Sequence, residues 1–206
     1  MNKLILILAL MVSFSSSFSQ EIHSKKNNNA VNILFIGNSL TYTNNLPDLV
    51  KKNAKIKGLK VHTKLIAFPN YSIVDHWNDG QVQELIATEK FDYLIIQQGP
   101  SSQNDGRKML IENGKDYSSL CELYDTKLCY LMVWPSLVNF HTFDGVIKNH
   151  EDAAAINNAI LLPVGKIWKD HIDSSNSYEY YSSDGFHPSL KGSQIAAQVI
   201  VEYLYH

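Results

Sequence analysis

Five short apolar runs, separated by stretches of helical spacing, constrain what this chain can fold into. Residues 31–36 are apolar but for Asn32 and end at Gly37, and 60–68, 91–97, 128–133 and 159–164 read as further strands. Tyr93, Leu94, Ile95 and Ile96 form the centre of the third run, and Trp134 with Pro135 halts the fourth. Continuous apolar runs bounded by turn residues suit strands buried on both faces. Residues 46–57, 78–90, 103–124 and 146–158 carry helical periodicity, with Pro47 in a first turn and an interruption expected near Gly114. Residues 165–171 begin another helix, and 189–205 form a closing one with Ser189 as its cap. Such alternation predicts parallel strands joined by right-handed crossovers, a three-layer α/β/α sandwich. Ligands of these sheets bind beyond the carboxyl ends of the strands, so functional residues should fall just after strands.

A chain of 206 residues suits one domain, and 45% hydrophobic with 18% charged residues reads as globular. The net charge of -2 gives no general attraction for nucleic acid or an anionic membrane. The lysines between Lys51 and Lys64 read as a solvated helix face and its turn. Residues 1–20 follow the order of a secretory signal peptide: Lys3, the apolar run 4–12, then a small-residue stretch ending near Ser19 and Gln20. The apolar run is short for a membrane span, and no cysteine marks a lipid attachment at the boundary. The expected organisation is a signal peptide over 1–20, a polar lead-in over 21–30 and a single domain over 31–206. The mature protein would then be periplasmic or extracellular. Cys121 and Cys129 read as two buried free thiols, although a bridge between them is geometrically open.

Two segments carry chemistry. In the first, a buried strand runs into Gly37-Asn38-Ser39-Leu40 and then a helix-forming stretch. The glycine permits a tight turn, and Ser39 comes to lie at a strand's carboxyl end, its hydroxyl and its own N–H facing the cleft. A helix-capping serine would look the same. In the second, Asp184 stands three residues before His187 on the loop ahead of the closing helix. One short turn brings the Asp184 carboxylate to Nδ1 of His187, leaving Nε2 to take a proton from Ser39. Gly185 allows the sharp turn, and Pro188 favours an extended His187.

The two segments together resemble the SGNH hydrolases, also called GDSL esterases and lipases. The first block, Gly37-Asn38-Ser39-Leu40, is similar to the family's Gly-Asp/Asn-Ser-Leu, and Asp184-Gly185-Phe186-His187-Pro188 to its Asp-x-x-His-Pro. The resemblance spans the chain from about Val31 onward. It implies a flavodoxin-like fold with a central five-stranded parallel sheet, and ester hydrolysis through an acyl-serine. In that chemistry Ser39 is nucleophile, His187 base then acid, and Asp184 its orienter. It implies no metal and no organic cofactor.

The middle blocks depart from the family. Its second block supplies a glycine N–H to the oxyanion hole. Here the loop is Phe68-Pro69-Asn70-Tyr71-Ser72, which leaves the Asn70 N–H as donor. Its third block supplies an asparagine amide. Here the strand ends in Gln97-Gln98-Gly99-Pro100-Ser101-Ser102, which makes Gln98 and Ser101 alternative donors.

Around the site, His76 and Trp77 read as a helix start with Trp77 in the core, or as pocket lining. Trp134 to Ser136 could touch substrate. His141 and His150 read as surface residues, and Tyr178, Tyr180 and Tyr181 as a packed loop or a sugar-stacking face. The expected substrate is a small-molecule or glycan ester, an acetylated polysaccharide first. A binding protein with a decayed site and a lipid or lysophospholipid hydrolase are the alternatives.

Overall fold

The computed structural model describes residues 30–205; the expected signal peptide and most of the lead-in lie outside them. Five strands, β1 (Val31–Gly37), β2 (Val61–Ala67), β3 (Tyr93–Ile96), β4 (Lys127–Leu131) and β5 (Ile160–Leu162), form one parallel sheet in the order β2-β1-β3-β4-β5. The order reverses between β1 and β3, the switch point at which sheets of this kind open a crevice. The register brings Ile36, Ile66, Ile96 and Tyr130 into one row. Whatever follows β1, β2, β3 and β4 therefore emerges along a single edge.

Among the described residues eight α-helices cover the sheet: α1 (Ser39–Tyr42), α2 (Leu46–Ile56), α3 (Ile73–Asp79), α4 (Gln81–Thr88), α5 (Asn104–Leu123), α6 (Phe143–Ile156), α7 (Val164–Ser175) and α8 (Leu190–Leu204). Successive strand residues point to opposite faces. Ile33, Phe35, Ile95, Cys129 and Leu131 pack against α2, α7 and α8. Leu34, Ile36, Leu94, Ile96, Leu128 and Tyr130 pack against α3, α4, α5 and the second half of α6. Both faces are buried, which is why the central strands read as unbroken apolar runs. Among the described residues no helix is long and apolar enough to cross a membrane.

Three local expectations are corrected. The helix expected over 78–90 is the shorter α4, and a separate helix, α3, precedes it. Ser72 and Asp75 form a capping box that starts α3 early, and Gly80, at φ 76°, turns the chain before α4. Helix α5 runs through Gly114 without interruption. A Cβ there would lie 1.5 Å from the Tyr130 hydroxyl, which donates to the Leu110 carbonyl at 2.7 Å. Gly114 is thus a point of close helix–sheet approach, not a break. His150 is buried on the inner side of α6, its Nδ1 at 2.8 Å from the Val146 carbonyl, and burial pulls its pKa down to about 4. The imidazole is therefore neutral and part of the packing.

Cys121 and Cys129 are free and buried, and burial pushes the Cys121 thiol up to about 12. Of the lysines after Val50, Lys51 and Lys52 pair with Asp48, Lys57 with Glu202 and Lys64 with Glu89, the pattern of a solvated face.

Candidate active site

The turn after β1 is built on a missing side chain. A Cβ on Gly37 would lie 2.4 Å from Thr41 Oγ1 and 2.5 Å from Gln97 Oε1. Its role is to admit another side chain; the positive φ values that favour glycine occur elsewhere. Through this gap Gln97, fully buried at the end of β3, accepts from the Asn38 N–H at 2.9 Å and from the Thr41 hydroxyl at 2.9 Å. Asn38 then ties the turn together. Its Oδ1 caps the Leu40 N–H at 3.1 Å, and its Nδ2 donates to the Tyr71 carbonyl at 2.9 Å. The second bond needs a donor, which an ionised aspartate at this position could not supply. The Ser39 N–H has no hydrogen-bond partner among the described residues.

Ser39 Oγ stands 2.9 Å from His187 Nε2, and His187 Nδ1 stands 2.6 Å from Asp184 Oδ2. A carboxylate only accepts, so Nδ1 carries the proton and Nε2 presents a lone pair to the serine hydroxyl. The other Asp184 oxygen accepts from the Ser182 hydroxyl at 2.7 Å and from the N–H groups of Phe186 and His187 at 2.9 Å each. With the imidazole, four donors hold the carboxylate by both of its oxygens.

The loop is held from outside as well. The Trp134 indole donates to the Phe186 carbonyl at 2.9 Å, the Leu137 N–H to the Gly185 carbonyl at 2.8 Å, and the Tyr181 hydroxyl to the Pro135 carbonyl at 2.9 Å. Asn44, just past α1, donates to the Pro188 carbonyl at 3.1 Å and to Ser193 Oγ at 3.0 Å, so the serine and histidine segments are stitched directly. Gly185 takes φ 67°, which a residue with a side chain would adopt at a cost.

Ser39, Asn70, Gln98 and Ser101 all line one open cleft of about 340 Å³, with Tyr71, Met109 and Phe186 as further walls. Asn70 has φ 62° in a turn closed by the Tyr71 N–H on the Phe68 carbonyl at 3.3 Å. Pro followed by Asn is the pair such a turn favours, and asparagine here replaces glycine without losing the left-handed backbone. The Asn70 N–H has no hydrogen-bond partner among the described residues.

Gln98 and Ser101 differ in what they have left to give. Gln98 Oε1 accepts from the Ile73 N–H at 3.1 Å, which fixes the amide orientation and turns Nε2 toward Met109 Sδ, a weak acceptor 2.8 Å away. Ser101 donates its one hydroxyl hydrogen to the Gly99 carbonyl at 2.9 Å. The Asn149 amide on α6 grips the Ser101 carbonyl at 2.8 Å, and Gly106 on α5 leaves room for the Ser101 side chain. The loop is thereby clamped against two helices.

Other candidates have structural places. His76 is buried, with Nε2 at 2.8 Å from the Gly37 carbonyl, and burial lowers its pKa. Trp77 packs edge-on against Tyr117. Trp134 is stacked on Trp168 at 3.5 Å, and Tyr180 and Tyr181 are buried beside it, so these aromatics support the loop from behind. Pro135 and Ser136 reach an adjoining hollow. Gln97, Ser182, Asn44 and Asn149 were not singled out from sequence. Their only signal is polarity, at the end of an apolar strand for Gln97, in a loop for Ser182, just past α1 for Asn44 and within a helix for Asn149.

The fold has counterparts among solved structures. A protein from Slackia heliotrinireducens provisionally described as an SGNH hydrolase superposes with a TM-score of 0.73 at 24% identity, over 85% of this chain and 100% of that one. The lipase/acylhydrolase from Enterococcus faecalis gives 0.67 at 18% identity, over 84% and 94%. A variant of an acetyl xylan esterase from Geobacillus stearothermophilus gives 0.63 at 15%, over 86% and 97%. The chain matches no protein-family model and no curated protein sequence. At these identities the likeness establishes the fold: this chain has the three-layer α/β/α sandwich of the SGNH hydrolases.

The Asp184 carboxyl is held well below its ordinary pKa of 3.8, by the Ser182 hydroxyl first, then the His187 ring and the Phe186 N–H. Its contribution to stability is whole above 3.8 and is lost as pH falls from there through the lower native value. The side chain is 50% exposed, so solvent screens part of the effect. Asp184→Asn is expected to unfold at lower urea concentration than wild type at pH 7. That gap should narrow as the pH is lowered through the acid range. A gap that widens on acidification would contradict the bonding described here.

Proposed function

We propose that this chain is a serine esterase that hydrolyses carboxylic esters of small molecules or glycans through an acyl-serine. The observation that carries the reading is the unbroken hydrogen-bonded line from Ser39 through His187 to Asp184, opening on a cleft with unused donors. Ser39 Oγ attacks the ester carbonyl carbon while His187 Nε2 takes its proton. The carbonyl oxygen gains the electron pair and is met by the Ser39 N–H, the Asn70 N–H and the Gln98 amide. Donors fixed before the reaction are the most effective stabilisers of such charge. The tetrahedral species collapses, the carbon–oxygen bond to the alcohol breaks, and the imidazolium returns its proton to the leaving oxygen. Water then attacks the acyl-serine with His187 again as base, releasing the acid and restoring Ser39. Asp184 keeps Nδ1 protonated and offsets the charge on the ring throughout.

Further support comes from the orientation of Gln98. Its acceptor is committed to Ile73, and its donor end meets only the weak acceptor Met109 Sδ at 2.8 Å and Ser101 Oγ at a long 3.5 Å, partners that an oxyanion would replace. Ser101 serves better as a fixed part of the loop. We place the enzyme outside the cytoplasm, with the mature chain beginning near Glu21, on the strength of the signal-peptide pattern in residues 1–20. The region from Val31 then works as one domain.

With p-nitrophenyl acetate as substrate, Ser39→Ala is expected to lose on the order of 10⁴–10⁶ in kcat while folding normally. Equal turnover by wild type and variant would remove Ser39 as nucleophile. Gln98→Glu keeps an oxygen for the Ile73 N–H but exchanges the donor for an acceptor. It should cost about 10²–10³ in kcat, the range seen when one oxyanion donor is removed, and more than Ser101→Ala. The reverse ranking in steady-state kinetics would transfer the donor role to Ser101.

A further inference from the structure

A second hollow of about 610 Å³ adjoins the cleft that holds Ser39, and Pro100 and Phe186 wall both. Its far side is the segment after β4. Ser136, Asn139, His141 and Thr142 line it there, and Gln103 faces them from the start of α5. We propose that this hollow is the subsite for the alcohol half of the ester, and that it selects a neutral, hydroxyl-rich alcohol such as a sugar ring. The proposal rests on the esterase reading above and deepens it.

Direction comes first. His187 must return a proton to the departing oxygen, so the alcohol lies on the His187 side of Ser39. Phe186 is next to His187 in the chain, with its ring 5.2 Å from the imidazole, and it forms the wall shared with the hollow. Asn70, Tyr71 and Gln98 line the cleft with Ser39 and take no part in the hollow. An ester whose carbonyl oxygen sits among those donors therefore extends its alcohol toward the hollow.

Chemistry comes second. The lining offers hydroxyls, amides and an imidazole, and it includes no Asp, Glu, Lys or Arg. Such groups answer hydroxyls, which both donate and accept. They offer no cation to a phosphate and no continuous apolar wall to a lipid chain. The flat faces of Pro100, Pro135 and Phe186 suit the C–H faces of a ring.

The wall is also braced. Asn139 Nδ2 donates to Ser136 Oγ at 3.2 Å, and the Thr142 hydroxyl donates to the Asn139 carbonyl at 2.8 Å. The Leu137 N–H holds the Gly185 carbonyl, so this wall and the loop bearing His187 are one unit.

The test compares kcat/KM for a mono-O-acetylated methyl glucoside with that for cyclohexyl acetate, a ring of similar size without hydroxyls. Wild type should prefer the sugar ester by about tenfold or more, the worth of one or two hydrogen bonds. In Asn139→Ala and His141→Ala, measured separately, the ratio should fall toward one. A ratio taken within one protein is insensitive to any loss of folded enzyme. Wild type that turns over p-nitrophenyl acetate yet shows no sugar preference overturns the subsite alone. A preference that survives both substitutions overturns its location. Wild type inert toward all three esters overturns the esterase reading and the subsite with it.

Discussion

The site depends on one buried amide. Gln97 reaches from the end of β3 across the gap left by Gly37 and accepts from both the Asn38 N–H and the Thr41 hydroxyl. This bond fixes the turn after β1 against the neighbouring strand, and with it the position of Ser39. It also spends the Asn38 N–H, so that the next N–H, that of Ser39, is the one left for the cleft. Neighbouring Gln98 then extends past the strand end with its own amide oriented by Ile73. Two adjacent glutamines thus divide the work. One holds the turn that bears Ser39, and the other is held by Ile73 at the lip of the same cleft.

The histidine arrives by a different route. The loop from Tyr181 to Pro188 carries no regular structure beyond one bridge between those two residues, yet it is bonded at almost every step. Asp184 collects three donors besides the imidazole, and Trp134, Leu137 and Asn44 hold backbone carbonyls from three directions. A loop so constrained behaves as part of the scaffold and holds His187 Nε2 at 2.9 Å from Ser39 Oγ.

Much of this was legible in the chain. The alternation of apolar runs and helical spacing led to a parallel sheet with helices on both faces. The two motifs led to the meeting of Ser39, Asp184 and His187: Ser39 comes just after β1, whereas Asp184 and His187 reach the same edge on the loop ahead of α8. What was not legible depended on long-range packing. Gly114 looks like a helix breaker until the Tyr130 hydroxyl is seen to occupy its place. His150 looks exposed in a polar segment, yet α6 turns it inward. The choice between Gln98 and Ser101 needed the Ile73 N–H and the Gly99 carbonyl, partners that no spacing in the sequence identifies.

The proposed function turns on the activation of Ser39 by His187. A fluorophosphonate probe followed by peptide mass spectrometry tests it most directly. A phosphonyl adduct on Ser39 is expected in the folded wild type, with labelling slower by about 10²–10⁴ in His187→Ala, the usual worth of a general base. Labelling at another residue, or equal labelling of Ser39 in both proteins, would contradict it.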